Sequence, residues 1–482
     1  MKVSAVFICV IIISFSYGAP MPAAYDTIVV GLGAAGTAAA AALAQAGRKV
    51  LALEAQGRLG GRVHTVPFGD GLVELGAEWI HGTESSSTYE LAIKNNITIV
   101  PQDGDVNVYF SDGTSRRADI VEDLTKFTLE VVGDPPEEPE PLGQYISRRV
   151  RDYIKVKHPS VANDAAFIDG VLEFLDQFIL TYESANSWND VTTQSQYEDL
   201  GGNQAMSWNT YGYKTLFELL MNTYNNGPGY PSLEIKLNAE VTRIQWPQDP
   251  EDNVIVTIKD GSTYTAKNVI VTVSVGVLKE RYKTLFSPPL SEQKVRPIEA
   301  ISLGLCAKII FRFEHAWFPL NDIAFFIWRP EDKAGVSEED KWLLSVNTPA
   351  SPMSSNTSLT AWICGDAAKT VETLPDEVVK TKVMGLMRKF MGVSKTIPEP
   401  IEMLKTSWFS NPFTRGSYSY DNVDTPKHPT ARADLAAPLT DSAGNPRVLF
   451  AGEATEPKHF ATVHGAVDSG RREANRLLSA AK

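Results

Sequence analysis

The stretch that most restricts the fold is Gly31–Gly36, "GLGAAG". Ahead of it, "YDTIVV" from Tyr25 is a short apolar and β-branched run, the composition of a buried strand. Behind it, "AAGTAAAAALAQAG" is rich in alanine and closes on Gly47, as a helix with a glycine past its end does. "KVLALEA" then predicts a second strand. Strand, glycine turn, helix and strand make a βαβ unit, which places the chain in the α/β class. In that context GxGxxG has a physical meaning. Gly31 permits the tight turn. Gly33, with Ala34 and Ala35 at the helix start, lets a pyrophosphate meet backbone N–H groups. Gly36 lets the helix lie close on the strand. Glu54 ends the second strand 18 residues after Gly36, where a carboxylate accepts hydrogen bonds from ribose hydroxyls.

Directly after Glu54 and Ala55 comes "QGRLGGRVHT". Arg58, Gly60, Gly61 and Arg62 form a second glycine and arginine cluster expected beside the same phosphates. This run resembles flavoproteins, not nicotinamide dehydrogenases. The chain has no second GxGxxG, so the expected electron acceptor is O2 or another small oxidant, not a second dinucleotide.

The rest of the chain sets the frame. With 58 acidic and 45 basic side chains, the net charge of −13 repels nucleic acid and attracts cations. Residues 1–18 carry Lys2, the apolar run Val3 to Phe15, and small residues Ser16 and Gly18 before Ala19. That is the pattern of a signal peptide, and it predicts a secreted, extracellular protein with no membrane association after cleavage. The run falls short of the roughly 20 apolar residues of a membrane span. Cys9 lies in it, which leaves Cys306 and Cys364, either bridged or as two buried thiols. Given secretion, the sequons at Asn96 and Asn356 are candidate glycosylation sites. The histidines show no metal-ligand spacing, so no metal is expected. Ser111 to about Asn209 reads as mostly helical, interrupted by the acidic, proline-rich loop "GDPPEEPEPLG". Strand-rich pieces follow, and "RVLFAGEA" with "HGAVDSGRREANRLLSAA" makes a last strand–helix pair. The expected division is a nucleotide-binding domain from residues 25–100, 212–295 and 415–482, with a mixed α+β substrate-binding domain from 101–211 and 296–414.

One strand carries an anomaly. "ISLGLCAKIIFRFE", Ile301 to Glu314, alternates with period two. Leu303, Leu305, Ala307, Ile309, Phe311 and Phe313 share a fully apolar face. Gly304, Cys306, Lys308, Ile310 and Arg312 share the other, which suits a pocket wall. A buried ammonium is costly unless it is solvated or paired.

"GLGAAG", "GRLGGRVHT", "GAEWIHG", "EVTRIQW", "TVSVGVLK", "CAKIIFRF", "WFSNPFTRGSYSY" and "LFAGEATEPKHFATVHGAVDSGRREA" follow one another along nearly the whole chain. Together they resemble the flavin-containing amine oxidases, in the polyamine oxidase and spermine oxidase branch. The resemblance implies an FAD-binding Rossmann-like domain of the GR2 type and a monomer or weak dimer. It implies that Gly452 and Glu453 return to the flavin, with Glu453 near the ribityl and pyrophosphate atoms. Val463 would meet the flavin's pyrimidine edge, Val241 the adenine, and Trp408 the ring. Lys308 would reach the flavin's N5 through a water. Tyr418 would form an aromatic wall, with Thr462 facing it where some amine oxidases have a second tyrosine. His81 would contact a substrate amine. Ser417 stands where monoamine oxidases bond the flavin through cysteine, so the FAD is expected to be non-covalent. Glu78 departs from the smaller uncharged residue common at its position, and the sequence does not assign its direction. The implied reaction oxidises a secondary amine of spermine, spermidine or an acetylated form with O2, giving an aldehyde, a shorter amine and hydrogen peroxide. Two rivals are a secreted L-amino-acid oxidase, which needs an arginine for the substrate carboxylate, and an amine-binding flavoprotein of low turnover. For the first, Arg312 lies about 13 Å along the strand from Lys308.

Overall fold

The computed structural model describes residues 24–480. β1 (Tyr25–Val30), α1 (Ala34–Gln45) and β2 (Val50–Leu53) form the expected unit. The two strands pair in parallel, with Val29 opposite Ala52. All four residues of β2 are buried, as in a sheet covered on both faces. β1 pairs on its other side with strand Thr263–Val271, and β2 with strand Leu233–Lys236, both in parallel. The end of Thr263–Val271 also pairs with strand Pro446–Phe450, which brings the C-terminal part of the chain beside β1. These belong to a nine-stranded sheet drawn from residues 25–53, 233–287 and 439–450. On one face, Ala35, Ala39 and Leu43 of α1 pack with Val29, Val50 and Ala474 of helix Val463–Ala480. On the other, Ile28, Leu51 and Val269 pack with Leu278, Leu285 and Ile298.

A second body of structure rests on helices Ala118–Val132, Leu142–Lys157 and Ala165–Glu183. Their apolar faces share a core with Phe325 and Ile327. The acidic proline-rich loop joins the first two helices at the surface. Helical structure stops earlier than the pattern predicts. Ser184 takes a left-handed φ of 55°, and residues 184–205 are irregular. The reason is local: side chains there take the backbone bonds a helix needs. Ser187 accepts from the Asn189 amide, Thr192 from Gln194, Ser195 from Tyr197 and Asn203 from Ala205.

The anomalous strand begins at Cys306, not Ile301, because the Gly304 and Leu305 amides turn to the carbonyls of Tyr418 and Ser184. Strand Cys306–Arg312 lies between antiparallel strands Ser358–Cys364 and Glu402–Lys405. Ala307, Ile309 and Phe311 enter a core with Met387 and Phe390. On the other face, Cys306 and Cys364 are register partners and are joined by a disulfide. Among the described residues no helix is long and apolar enough to cross a membrane. The expected signal peptide, residues 1–18, lies outside the described residues.

Candidate active site

The turn between β1 and α1 is built from contacts that only glycine allows. Gly31 has φ +92°, and a Cβ at Gly36 would lie 1.9 Å from the Gly31 oxygen. Glu54 fixes the turn by accepting the Leu32 amide at 2.7 Å and the Gln56 amide at 2.8 Å. Each oxygen keeps a lone pair for a hydroxyl. The N-cap of α1 is Gly33, which brings no side-chain cap, so the N–H groups around Ala34 and Ala35 suit an anion. Gly33 bridges to Gly60, which sets the second glycine cluster, with Gly61, against the first. Arg58 turns back onto its own loop and donates to the carbonyls of Leu59, Gly61 and Val63. It shapes the loop instead of standing free for phosphates.

Arg62 and Glu453, far apart in sequence, form an ion pair at 2.9 Å. Arg62 also donates to the Ser417 carbonyl. Glu453 accepts the Ser419 hydroxyl at 2.6 Å and the Ala461 amide at 2.9 Å. Burial alone would raise its carboxyl, but Arg62, Ser419 and Arg432 together hold it below its ordinary pKa. Gly452, at φ +128°, donates its amide to the Ser469 hydroxyl. Val241 opens its strand just after Ala239, whose amide bonds the Glu54 carbonyl. Val463 opens the last helix. Thr462 caps that helix, accepting the Gly465 amide and donating to the His459 carbonyl, so its hydroxyl is already committed. Trp408 packs in the strand core beside Gly76, and Ser417 exchanges two hydrogen bonds with the Cys306 backbone.

Lys308 is buried, and the cause is visible. Its ammonium donates to the carbonyls of Glu74 and Gly76, each at 2.9 Å, and to Glu78 Oε2 at 2.6 Å. An ammonium has three donors, so none remains for the water that the resemblance implies. The departure at Glu78 is what fills the third. Trp79 and Trp362 stack with centroids 5.8 Å apart and flank the ammonium. Glu74 accepts Thr65 and the Tyr213 amide, yet burial pushes its carboxyl up to about 7.

Tyr418 and His81 belong to one electrostatic cluster with two carboxylates that sequence reasoning missed. The Tyr418 hydroxyl donates to the Thr181 carbonyl at 2.6 Å. Its phenol pKa is raised, by burial first and then by Glu183. Glu183 itself is pushed to about 7 by burial, then by Asp421, against Arg432. His81 Nδ1 lies 2.7 Å from the Gln204 carbonyl. A carbonyl only accepts, so Nδ1 carries the proton and Nε2 is the acceptor. Burial lowers the pKa of His81, opposed by the Gln204 bond and by Asp199. Asp199 also raises Tyr182 and Tyr197, after burial. Nothing in the local pattern around Glu183 or Asp199 separates them from other surface acids; only the return of the irregular loop makes them neighbours. Among the described residues, no group of three or more His, Cys, Asp or Glu is placed to hold a metal ion.

A family model described as flavin containing amine oxidoreductase matches residues 34–478. The chain belongs to that family. This amine oxidoreductase is 28% identical to the peroxisomal N(1)-acetyl-spermine/spermidine oxidase of Bos taurus, over 94% of each chain. It is also 28% identical to the Homo sapiens enzyme of that name, over 95% of this chain and 96% of the other. A solved putrescine oxidase variant, redesigned in its cofactor binding, superposes with a TM-score of 0.63 at 18% identity, over 94% of this chain and 99% of that one. The family's α/β fold from discontinuous segments and its FAD dependence therefore hold for this chain: it is an FAD-dependent oxidoreductase. The glycine turn, the uncapped start of α1 and Glu54 fit that dinucleotide.

The expectation of a secreted, extracellular protein is overturned. The two mammalian relatives matching along nearly the whole chain are peroxisomal. A short apolar run beside one lysine reads alike in many N-terminal segments, so it carries the location poorly. The basis for glycosylation at Asn96 and Asn356 goes with it, and the Asn356 amide already donates to Asp70.

Proposed function

We propose that the protein is a polyamine oxidase holding FAD without a covalent bond. Residues 25–100, 212–295 and 415–482 serve the flavin, and the mixed α+β remainder serves the substrate. A secondary amine of spermine, spermidine or an acetylated form loses a hydride and a proton to O2, giving an imine and hydrogen peroxide. Water then cleaves the imine to an aldehyde and a shorter amine. FAD, when bound, supplies the hydride acceptor and passes the electrons to O2.

The observation that carries this reading is His81, which donates through Nδ1 to Gln204 and feels the charge of Asp199, together with Tyr418, which feels the charge of Glu183. His81 Nε2 accepts the N–H of a neutral secondary amine and orients its nitrogen. The Tyr418 ring, fixed by Thr181, offers an aromatic face to an amine or its methylenes. Asp199, and Glu183 once it ionises above about pH 7, attract the distant ammonium groups of a polycation. Loss of hydride needs a nitrogen without its proton, so the rate rises with pH through the bound amine's pKa. Arg312 speaks against an amino-acid substrate: it is partly exposed and paired with Glu402 at 2.9 Å. Ser417, its hydroxyl spent on the Cys306 backbone, supports non-covalent FAD.

The test is peroxide release from spermine, spermidine, N-acetylspermine and leucine, with aldehyde measured in parallel. Peroxide and aldehyde in equal amounts from at least one polyamine are expected. Turnover of leucine without turnover of any polyamine would refute the reading. Denaturation should release the flavin; flavin that stays with precipitated protein would refute the non-covalent assignment.

A further inference from the structure

The pair of Lys308 and Glu78 is a deeply buried charge pair near the site that the reaction above leaves unused. The Lys308 and Glu78 side chains are 8% and 7% exposed. Lys308 is saturated, but Glu78 is not. Only Oε2 is bonded, and Oε1 takes no hydrogen bond from any described residue. Oε1 is not among the buried side-chain atoms left without a partner, so it keeps access from outside the pair and is free to accept a donor that arrives there. Glu74, the neighbouring carboxylate, is different: Thr65 and the Tyr213 amide occupy it. The pair also borders the cofactor turn, since the Ala77 amide bonds the Arg62 carbonyl and Gly76 lies against Trp408. Trp79 and Trp362 flank the ammonium and leave an aromatic wall beside it.

We propose that Glu78 is a specificity-determining carboxylate: Oε2 neutralises Lys308, and Oε1 takes a protonated amine of the substrate. The proposal rests on the polyamine reading and deepens it. A lone ammonium at Lys308 would repel every cationic group of an incoming polyamine. At about 8 Å and an effective dielectric near 20, one such repulsion is worth about thirtyfold in affinity. Glu78 cancels it and adds an acceptor. An acetylated polyamine has a neutral amide in place of one ammonium and gains less from this acceptor. The site therefore favours polyamines that keep their full charge over acetylated ones.

The test uses the purified holoenzyme, Glu78→Gln and Glu78→Asp. Two readouts are taken: kcat/KM on spermine and on N-acetylspermine, and calorimetric binding of 1,12-diaminododecane, which has no secondary amine to oxidise. For Glu78→Gln the spermine value should fall at least about tenfold, mainly through KM, and the diamine should weaken as much. The acetylated substrate, which has one ammonium fewer, should lose at least about threefold less than spermine, and Glu78→Asp should recover part of the loss. Equal losses on both substrates, or unchanged diamine binding in a variant with normal flavin content, would overturn the proposal. If Glu78→Gln yields no holoenzyme, Glu78→Asp decides: a shifted substrate ratio supports the proposal and an unshifted one ends it. A wild type that oxidises no polyamine defeats the polyamine reading, while the diamine titration still judges Glu78.

Discussion

Replacing Gly36 by alanine adds one methyl at the tightest point of the cofactor turn. The new Cβ would lie 1.9 Å from the Gly31 oxygen and 2.8 Å from Thr272 Oγ1. Ordinary contact is about 3.5 Å, so α1 must retreat by roughly 1.5 Å. It has nowhere to go. A Cβ at Gly470 would stand 2.0 Å from the Ala35 oxygen, so the last helix already touches the backbone of α1 from behind. Thr272 is held too, donating to the Val30 and Gly31 carbonyls. Overpacking costs about 1–3 kcal/mol, and a clash with backbone belongs at the upper end. Alanine returns about 1 kcal/mol as a better helix former, so the net loss is about 2 kcal/mol. Displacing the start of α1 also moves the amides that receive the pyrophosphate, so flavin content should fall at least about tenfold. Gly385 is the control: it also lies inside a helix, and nothing is within 4 Å of its added Cβ. Gly385→Ala should gain up to about 1 kcal/mol with full flavin. Urea unfolding and the flavin-to-protein absorbance ratio read both variants. Gly36→Ala with full flavin and a midpoint at or above wild type would refute the reasoning.

Three further outcomes follow from particular contacts. The Cys306–Cys364 bridge spans a separation of 58 residues, for which loop-closure entropy gives about 4 kcal/mol, so Cys306→Ser with Cys364→Ser should lower the urea midpoint clearly; an unchanged midpoint would show that the bridge does not form. Glu74 is raised to about 7 in the folded protein, so it binds more protons folded than unfolded and stability falls as pH rises from about 4.5 to 7. The stability of Glu74→Gln relative to wild type should therefore climb across that window by up to about 3 kcal/mol, and a pH-independent difference would contradict the shift. Arg312→Ala should leave polyamine turnover within about twofold, because its guanidinium lies at the surface on Glu402; a tenfold loss would place it in the site after all.

The alternation of Ile301–Glu314 shows how far sequence reaches. It separates Ala307, Ile309 and Phe311 from Cys306, Lys308 and Ile310, and the two sets enter different surroundings. It overruns the strand's start because Gly304 and Leu305 bond to residues far along the chain, which no local pattern encodes. The helical reading beyond Ser184 fails for a related reason, since polar side chains there compete for the backbone. Arg58 and Arg62 look alike in the sequence, yet one folds onto its own loop and the other crosses to Glu453.

The sequence by itself determines the dinucleotide turn. Gly31, Gly33, Gly36 and Glu54 lie within one βαβ unit, where spacing along the chain and position in space are nearly the same thing. The direction of Lys308 is likewise set by the period of its own strand. What Lys308 meets is decided only by tertiary structure. Glu78 stands 230 residues away, and only the packing of its segment against strand Cys306–Arg312 brings the two charges to 2.6 Å. A buried ion pair depends on which segments exclude water together, and that is a property of the assembled core, not of either segment alone.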